Sequence, residues 1–333
     1  MSLAHHLKAI MCGNAGETEA AGNGELTEHD AQLLFGAMLD GGVPELELGA
    51  LLVALQMKPA ALAELAGYAG ALNDRLFRLL PPRAKALPVV LPSYGGVRDQ
   101  PNLLPLLALL LHRFGVPVLI HGMLNGDGGV ASAYVFRELG VMPSATLAQA
   151  QEGLSGAGIA FVPTAVLAPG LAELLVLRGR LGVRSPAHAI ARLLDPFEGD
   201  CLRVVGVERD AALGLTREFL LATGAHALLL RGAQGEPYAD PLSRPRIEHL
   251  FEGTARVLFE AETVSLKKIA TLPGDANAAV TAAWIRRALA GETPVPLPIV
   301  NQLATCLFAA GYTTDMNQAK AIVAVETGSL AAA

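Results

Sequence analysis

Leu87-Pro88-Val89-Val90-Leu91 runs into Pro92-Ser93-Tyr94-Gly95-Gly96-Val97-Arg98, and a helical pattern opens just beyond, near Asn102. The same order returns at Pro117 to Ile120, which leads into His121-Gly122-Met123-Leu124-Asn125-Gly126-Asp127-Gly128-Gly129 and a helical pattern at Val130. A strand, a glycine turn and a helix start together make an anion site, because unpartnered backbone N–H groups and the helix dipole point at the turn. Such turns also serve as plain chain reversals, and neither follows the GxGxxG or GxxxxGK[ST] spacing.

Outward from this pair, apolar runs of strand length recur at Ile159 to Val162, Leu202 to Val207 and His226 to Leu230. Helical patterns at 102–114, 130–139, 208–222, 276–290 and 296–309 separate or follow them. That alternation predicts a mostly parallel sheet wrapped by helices. Upstream the chain reads as helices. Thr27 caps a first one carrying Leu33, Leu34, Met38 and Leu39, and Gly41-Gly42 ends it. Leu48, Leu51, Leu52 and Leu55 mark a second, Leu62, Leu65, Tyr68, Leu72 and Leu76 a third, and Pro81-Pro82 closes the run. The fold class expected is α/β: a small N-terminal all-helical domain, residues 1–82 joined by helices at about 169–196, plus a large α/β domain, residues 83–168 and 197–333.

The 333 residues are 52% hydrophobic and only 17% charged, which excludes a disordered chain. A membrane is not the destination of this apolar surface. Leu103 to Leu111 stops at His112-Arg113, and Phe161 to Leu177 contains two prolines and Glu173, so neither supplies the ~20 clean residues of a spanning helix. The first residues show no apolar signal-peptide core. Cys12, Cys201 and Cys306 lie far apart without a CxxC pair and read as small buried hydrophobes in a reducing cytosol, so a cytoplasmic location is expected.

The net charge of −6 divides unevenly along the chain: residues 1–74 carry −8 and residues 75–333 carry +2. Within the second part, Arg75, Arg78, Arg83, Lys85, Arg98 and Arg113 accompany a single acid, Asp99, while Arg178, Arg180, Arg184 and Arg192 have none among residues 176–192. An acidic protein can still present a basic face.

Leu26-Thr27 through Leu39-Asp40-Gly41, Leu48 through Lys58 and Glu64-Leu65-Ala66-Gly67-Tyr68 resemble the N-terminal helical domain of anthranilate phosphoribosyltransferase and of pyrimidine nucleoside phosphorylases. The likeness continues through Gly95-Gly96, Gly115 to Val118, His121-Gly122, Leu139-Gly140-Val141, Leu181 to Arg184 and Ala309-Ala310-Gly311, covering nearly the whole chain in order. Those enzymes hold phosphoribosyl pyrophosphate with a GTGGD turn and an NxST helix start. Here stand Ser93-Tyr94-Gly95-Gly96-Val97 and Asn102-Leu103-Leu104-Pro105, without the carboxylate or the hydroxyls. Their KHGNR turn is Ile120-His121-Gly122-Met123-Leu124, and their magnesium-carrying Asp-Glu pair aligns with Pro237-Tyr238. Glu236 and Asp240 are the nearby carboxylates, separated by Pro237. Magnesium requires oxygen ligands, so ordinary anthranilate transfer is not expected.

These departures are similar to the YbiB-type branch of the superfamily: Pro92-Ser93-Tyr94 with Gly96 and Arg98, Asn102-Leu103 with Pro105 to Ala108, Leu167 to Leu171, and Leu230-Arg231-Gly232 with Gly235-Glu236 and Tyr238-Ala239. That resemblance implies a homodimer that binds single- and double-stranded nucleic acid with little sequence preference and needs no cofactor. Non-specific binding uses clustered cations to meet phosphates, helped by aromatic platforms. The candidates are Lys267-Lys268 between Leu266 and Ile269, Arg178, Arg180, Arg184 and Arg192, and Arg98, Arg231, Arg244 and Arg246, although the default reading of any single one is a solvated surface charge. Tyr94 and Tyr238 read either as stacking platforms or, no less readily, as packed tyrosines, and Trp284 reads as core. The binding surface is expected on the α/β domain, and the dimer contact on apolar helical faces around Leu34–Leu55.

The rival reading is a phosphoribosyltransferase that takes phosphoribosyl pyrophosphate, with magnesium, to another acceptor, using Ser93, Gly95, Gly96, Asn102, His121 and Gly122 as its phosphate site. No His/Cys spacing suggests zinc, and Ser93 lacks a GxSxG context.

Overall fold

The computed structural model describes residues 24–126, 128–263 and 272–328. These fall into two compact units. One combines the chain up to Phe77 with Thr164–Leu194, and the other combines Arg78–Pro163 with the chain from Asp195 onward.

The first unit is helical. Its helices are α1 (Glu28–Leu39), α2 (Glu45–Met57), α3 (Leu62–Asn73), α7 (Thr164–Leu167), α8 (Pro169–Val176), α9 (Arg178–Leu181) and α10 (Pro186–Ile190). Thr27 caps α1 by accepting the Asp30 N–H at 3.1 Å. α1 packs on α3 through Phe35 and Tyr68, whose ring centroids lie 4.9 Å apart. Glu64, only 1% exposed, accepts from the N–H groups of Leu26 (2.9 Å) and Ala61 (3.1 Å) and pairs with Lys58. Leu34, Leu51, Leu52 and Leu55 are buried inside this unit. They are therefore core, so a dimer contact around Leu34–Leu55 would have to use other side chains of these helices. The apolar residues left outside on α2 are Leu46, Ala50, Val53 and Met57.

The second unit carries the α/β fold expected from the alternation. Strands β1 (Val89–Ser93), β2 (Val118–Gly122), β3 (Ile159–Pro163), β4 (Leu202–Val207) and β5 (Ala227–Arg231) are parallel, in the spatial order β3-β2-β1-β4-β5. An antiparallel hairpin, β7 (Ile247–Phe251) and β8 (Thr254–Phe259), extends the sheet beyond β5. Its turn is Glu252-Gly253, with φ of 48° and 71°, the two positive values that a right-twisted hairpin turn requires. A separate two-stranded ribbon pairs β6 (Ser243–Arg244) with β9 (Glu262–Thr263).

Helices α4 (Leu104–Arg113), α5 (Ser132–Glu138), α6 (Leu147–Gly156), α11 (Asp210–Ala222), α12 (Ala278–Leu289), α13 (Leu297–Ala309) and α14 (Met316–Glu326) complete the unit. Its core joins Val89, Leu91, Val118, Ile120, Val204 and Leu228 of the sheet to Leu107, Leu111, Ile285, Leu303 and Leu307 of the helices. Trp284 belongs to that core. The parallel strands are apolar along most of their length because both faces are covered. No helix among the described residues is long and apolar enough to cross a membrane.

Candidate functional site

In the order β3-β2-β1-β4-β5, successive strands run away from β1 in opposite directions, and β1 and β4 meet at the reversal. Open parallel sheets form their ligand crevice outside the carboxyl ends of the strands at such a switch point. The residues there are the ones the glycine turns singled out. Ser93 closes β1, Tyr94-Gly95-Gly96 follow, and His121-Gly122 close β2.

The turn is built for an anion. Gly96 has φ +66°, and a Cβ there would meet the Val130 carbonyl oxygen at 3.0 Å. Val97 and Val130 exchange backbone hydrogen bonds at 3.2 and 2.7 Å and fix the turn's far side. Its N–H groups converge on a single atom, Glu236 Oε1. Tyr94 donates at 3.1 Å, Gly95 at 2.7 Å and Gly96 at 3.1 Å. The other carboxylate oxygen, Oε2, accepts from Ser93 Oγ at 2.7 Å, and Ser93 Oγ also bonds to Ser132 Oγ. Glu236 is 1% exposed. The loop between β5 and β6 delivers it, and the approach depends on missing side chains. A Cβ on Gly206 or Gly232 would lie 2.5 or 1.8 Å from the Glu236 carbonyl oxygen. Gln302 on α13 holds the same loop, donating to the Pro237 carbonyl at 2.9 Å and accepting from the Ala239 N–H at 2.7 Å.

The remaining residues expected at the phosphate site have other duties. Asn102 donates to the Val130 carbonyl at 3.0 Å and accepts from the Leu104 N–H at 3.2 Å, so it starts α4 and braces the turn. His121 is fully buried and shares a 2.9 Å hydrogen bond between Nδ1 and the Tyr94 hydroxyl. Burial pushes its pKa down to about 3, so the ring is neutral, and Nε2 has no partner among the described residues. Gly122 pairs with Ser93 across β1 and β2.

Tyr94 is 7% exposed and Tyr238 is fully buried, its hydroxyl donating to the Pro101 carbonyl at 3.3 Å. Neither ring is open to a base, which corrects their reading as stacking platforms.

Among the described residues, no three His, Cys, Asp or Glu side chains group as metal ligands. Both Glu236 oxygens are spent on the turn, Asp240 Oδ1 accepts from the Leu242 N–H at 2.8 Å, and Pro237-Tyr238 has no carboxylate to offer. The residues present do not fit the magnesium ion that the superfamily's transfer chemistry implies.

The basic candidates among the described residues are divided between the two units. Arg178, Arg180, Arg184 and Arg192 belong to the helical unit, with the segment at about 169–196, and so lie outside the α/β domain on which the binding surface is expected. Divided by these units, the charge is seven basic against eleven acidic residues in the helical one and eighteen against twenty in the other. The positive surplus of residues 75–333 therefore disappears. Arg180 pairs with Glu45 at 3.4 Å and Arg231 with Asp210 at 3.6 Å. Arg244 pairs with Glu262 at 2.7 Å, and Arg246 with Glu248 at 2.9 Å and Glu260 at 3.3 Å. Arg98 donates its backbone N–H to the Gln234 side chain at 3.1 Å. Around His188 the cations do cluster: burial first, then Arg178, Arg184 and Arg192, push its pKa down to about 4. Lys267 and Lys268 lie outside the described residues.

The doubly wound sheet and the anion-holding turn at its switch point define a phosphoribosyltransferase-type fold. The family described as "Glycosyl transferase family, helical bundle domain" matches residues 8–75. "Uncharacterized protein YbiB" of Escherichia coli K12 is 38% identical over 300 residues, covering 90% of this chain and 93% of that protein. Anthranilate phosphoribosyltransferase of Thermus thermophilus is 27% identical over 299 residues, covering 89% of each. A crystal structure of anthranilate phosphoribosyltransferase from Thermus thermophilus superposes with a TM-score of 0.77 at 26% identity, covering 99% of this chain and 95% of that one. The chain belongs to the anthranilate phosphoribosyltransferase-like superfamily, as a relative of YbiB.

In the sequence Glu236 stood only as a doubtful magnesium ligand, with no sign that its carboxylate fills the turn. Ser132 was missed entirely. The available signal was Gly206 inside the apolar run Leu202–Val207, since glycine within a strand marks a close backbone approach.

Proposed function

We propose that the chain binds a phosphorylated ribose ligand, of the phosphoribosyl pyrophosphate class, at the carboxyl ends of β1 and β2, with Tyr94-Gly95-Gly96 as the phosphate seat. The observation that carries this reading is the convergence of three backbone N–H groups on one oxygen position at 2.7–3.1 Å, at the switch point of the sheet. The Nε2 of His121, without a partner among the described residues and beside Tyr94, adds a polar position next to the seat. The named relatives support the ligand class, since anthranilate phosphoribosyltransferases align over most of the chain. Because the local carboxylates do not fit magnesium, binding is expected to be independent of the ion. Calorimetric titration with phosphoribosyl pyrophosphate, with and without magnesium, tests this: saturable binding in both conditions supports it, and an absence of saturable binding by the chain and by its Glu236→Ala variant alike refutes it.

The second reading is nucleic-acid binding, favoured by the Arg178, Arg184 and Arg192 cluster around His188. Retardation of a fluorescent DNA oligonucleotide that weakens steeply with salt supports it. No retardation at low ionic strength removes it.

The assembly belonging to either reading is a homodimer. Leu46, Ala50, Val53 and Met57 recur at helical spacing on α2 and face outward, with Leu46 84% and Met57 80% exposed. An apolar stripe of this kind on a helix already apolar on its buried side fits a second copy of the same surface.

A further inference from the structure

The acceptor seated in the anion turn is the chain's own carboxylate. Glu236 Oε1 takes the N–H groups of Tyr94, Gly95 and Gly96, and Oε2 takes the Ser93 hydroxyl. The loop that presents it is held shut. Gly232 and Ala239 form a β-bridge, the Ala233 N–H donates to the Tyr238 carbonyl at 2.9 Å, the Glu236 N–H to the Ala233 carbonyl at 3.0 Å, and Gln302 clamps Pro237 and Ala239.

We infer that Glu236 is a tethered competitor of phosphate, so that the turn rests in a self-occupied state and accepts an external phosphate only when this side chain leaves. The inference rests on the ligand reading above, because it takes the turn to be a phosphate seat. Carboxylate and phosphate oxygens ask for the same donors, and N–H groups that converge on one oxygen cannot serve two. A side chain fixed beside its site acts at an effective concentration of millimolar or higher, so free phosphate must outcompete a ligand that never diffuses away. Removing the carboxylate leaves three N–H donors without an acceptor in a buried site, which an entering anion would satisfy.

The test uses the full chain as wild type, Glu236→Ala and Glu236→Gln. Each is titrated with inorganic pyrophosphate and with phosphoribosyl pyrophosphate by calorimetry, and its thermal midpoint is read with and without pyrophosphate. Glu236→Ala is expected to bind pyrophosphate about tenfold more tightly than wild type or better, the effect of removing competition worth one charged hydrogen bond. Glu236→Gln, which keeps the size and one acceptor but loses the charge, is expected in between, and it carries the comparison if the alanine variant fails to fold. Equal pyrophosphate affinity in wild type and variants overturns the inference. If the variants gain pyrophosphate but the ribose compound binds no better than pyrophosphate, competition by Glu236 stands and the ribose reading falls. If the ribose compound binds wild type and variants equally, the ribose reading stands and the competition falls. Binding of neither compound by any of the three proteins overturns both.

Discussion

Gly232→Ala tests whether the close approach that seats Glu236 is a real constraint. A Cβ at position 232 would stand 1.8 Å from the Glu236 carbonyl oxygen, where real Cβ contacts begin at 3.0 Å, so the loop must retreat by at least about 1.2 Å. The displaced carbonyl accepts the Tyr238 N–H at 2.9 Å, and the same shift pulls the carboxylate away from Tyr94, Gly95 and Gly96. Overpacking at a tight site costs about 1–3 kcal/mol, and a broken internal hydrogen bond adds about 1. The expected destabilisation is therefore about 3 kcal/mol, which lowers the midpoint of a unit of this size by about 6–12 °C. Gly214→Ala is the control. Gly214 sits in α11 with nothing within 4 Å of its Cβ position, so the same chemical change should stabilise by about 0.5–1 kcal/mol through helix propensity. Scanning calorimetry of the two variants reads both signs. A Gly232→Ala protein within about 0.5 kcal/mol of wild type, the usual scatter of a neutral surface change, would refute the packing argument.

Burial holds the His121 pKa down at about 3 against about 6.5 in the unfolded chain, so its contribution to stability is present above pH 6.5 and is lost as pH falls from there toward 3. Urea midpoints measured from pH 7 to pH 4 should fall less steeply for His121→Phe than for wild type. Glu64→Gln breaks a buried pair with Lys58 and weakens two hydrogen bonds from backbone N–H groups, for an expected loss of about 3 kcal/mol in denaturant unfolding. Leu46→Glu with Met57→Glu should convert a dimer to a monomer in light scattering, and a monomeric wild type would end the dimer proposal. On the nucleic-acid reading, Lys267→Ala with Lys268→Ala should weaken oligonucleotide binding and flatten its salt dependence, leaving sugar-phosphate binding unchanged.

The parallel core was legible because buried strands are apolar along most of their length and alternate with helices of the right period. Leu202–Val207 is a strand over the expected residues, and Leu297–Ala309 is a helix within one residue of them. The β7–β8 hairpin was not legible. Ile247-Glu248-His249-Leu250-Phe251 mixes charge into the strand, its ladder carries an irregularity at Ile247/Glu248, and Glu252-Gly253 is a weaker turn signal than Asn-Gly or Asp-Gly. Helix α6 was overlooked because Leu147–Gly156 buries only Ala150 and Leu154, leaving little apolar period to detect. At the site, the glycine turn was visible as a local pattern. Its occupant was not, because a hydrogen bond between Ser93 and Glu236 depends on strand order, and the local sequence around Glu236 shows only a loop carboxylate. Charge misled for a related reason: a split by position in the chain divided the arginines differently from a split by folded unit.

The separation of Ser93 from Glu236 also sets an order of events during folding. The donors of the turn come from one short segment and can be shaped as soon as β1 and β2 pair, but their acceptor arrives only after β4 and β5 have been laid beside them. Until then the nascent sheet carries an open ring of N–H groups that any dissolved anion can visit. Closure of the seat is thus a late, non-local step, and phosphate in a refolding buffer should slow it by holding the turn against its own side chain.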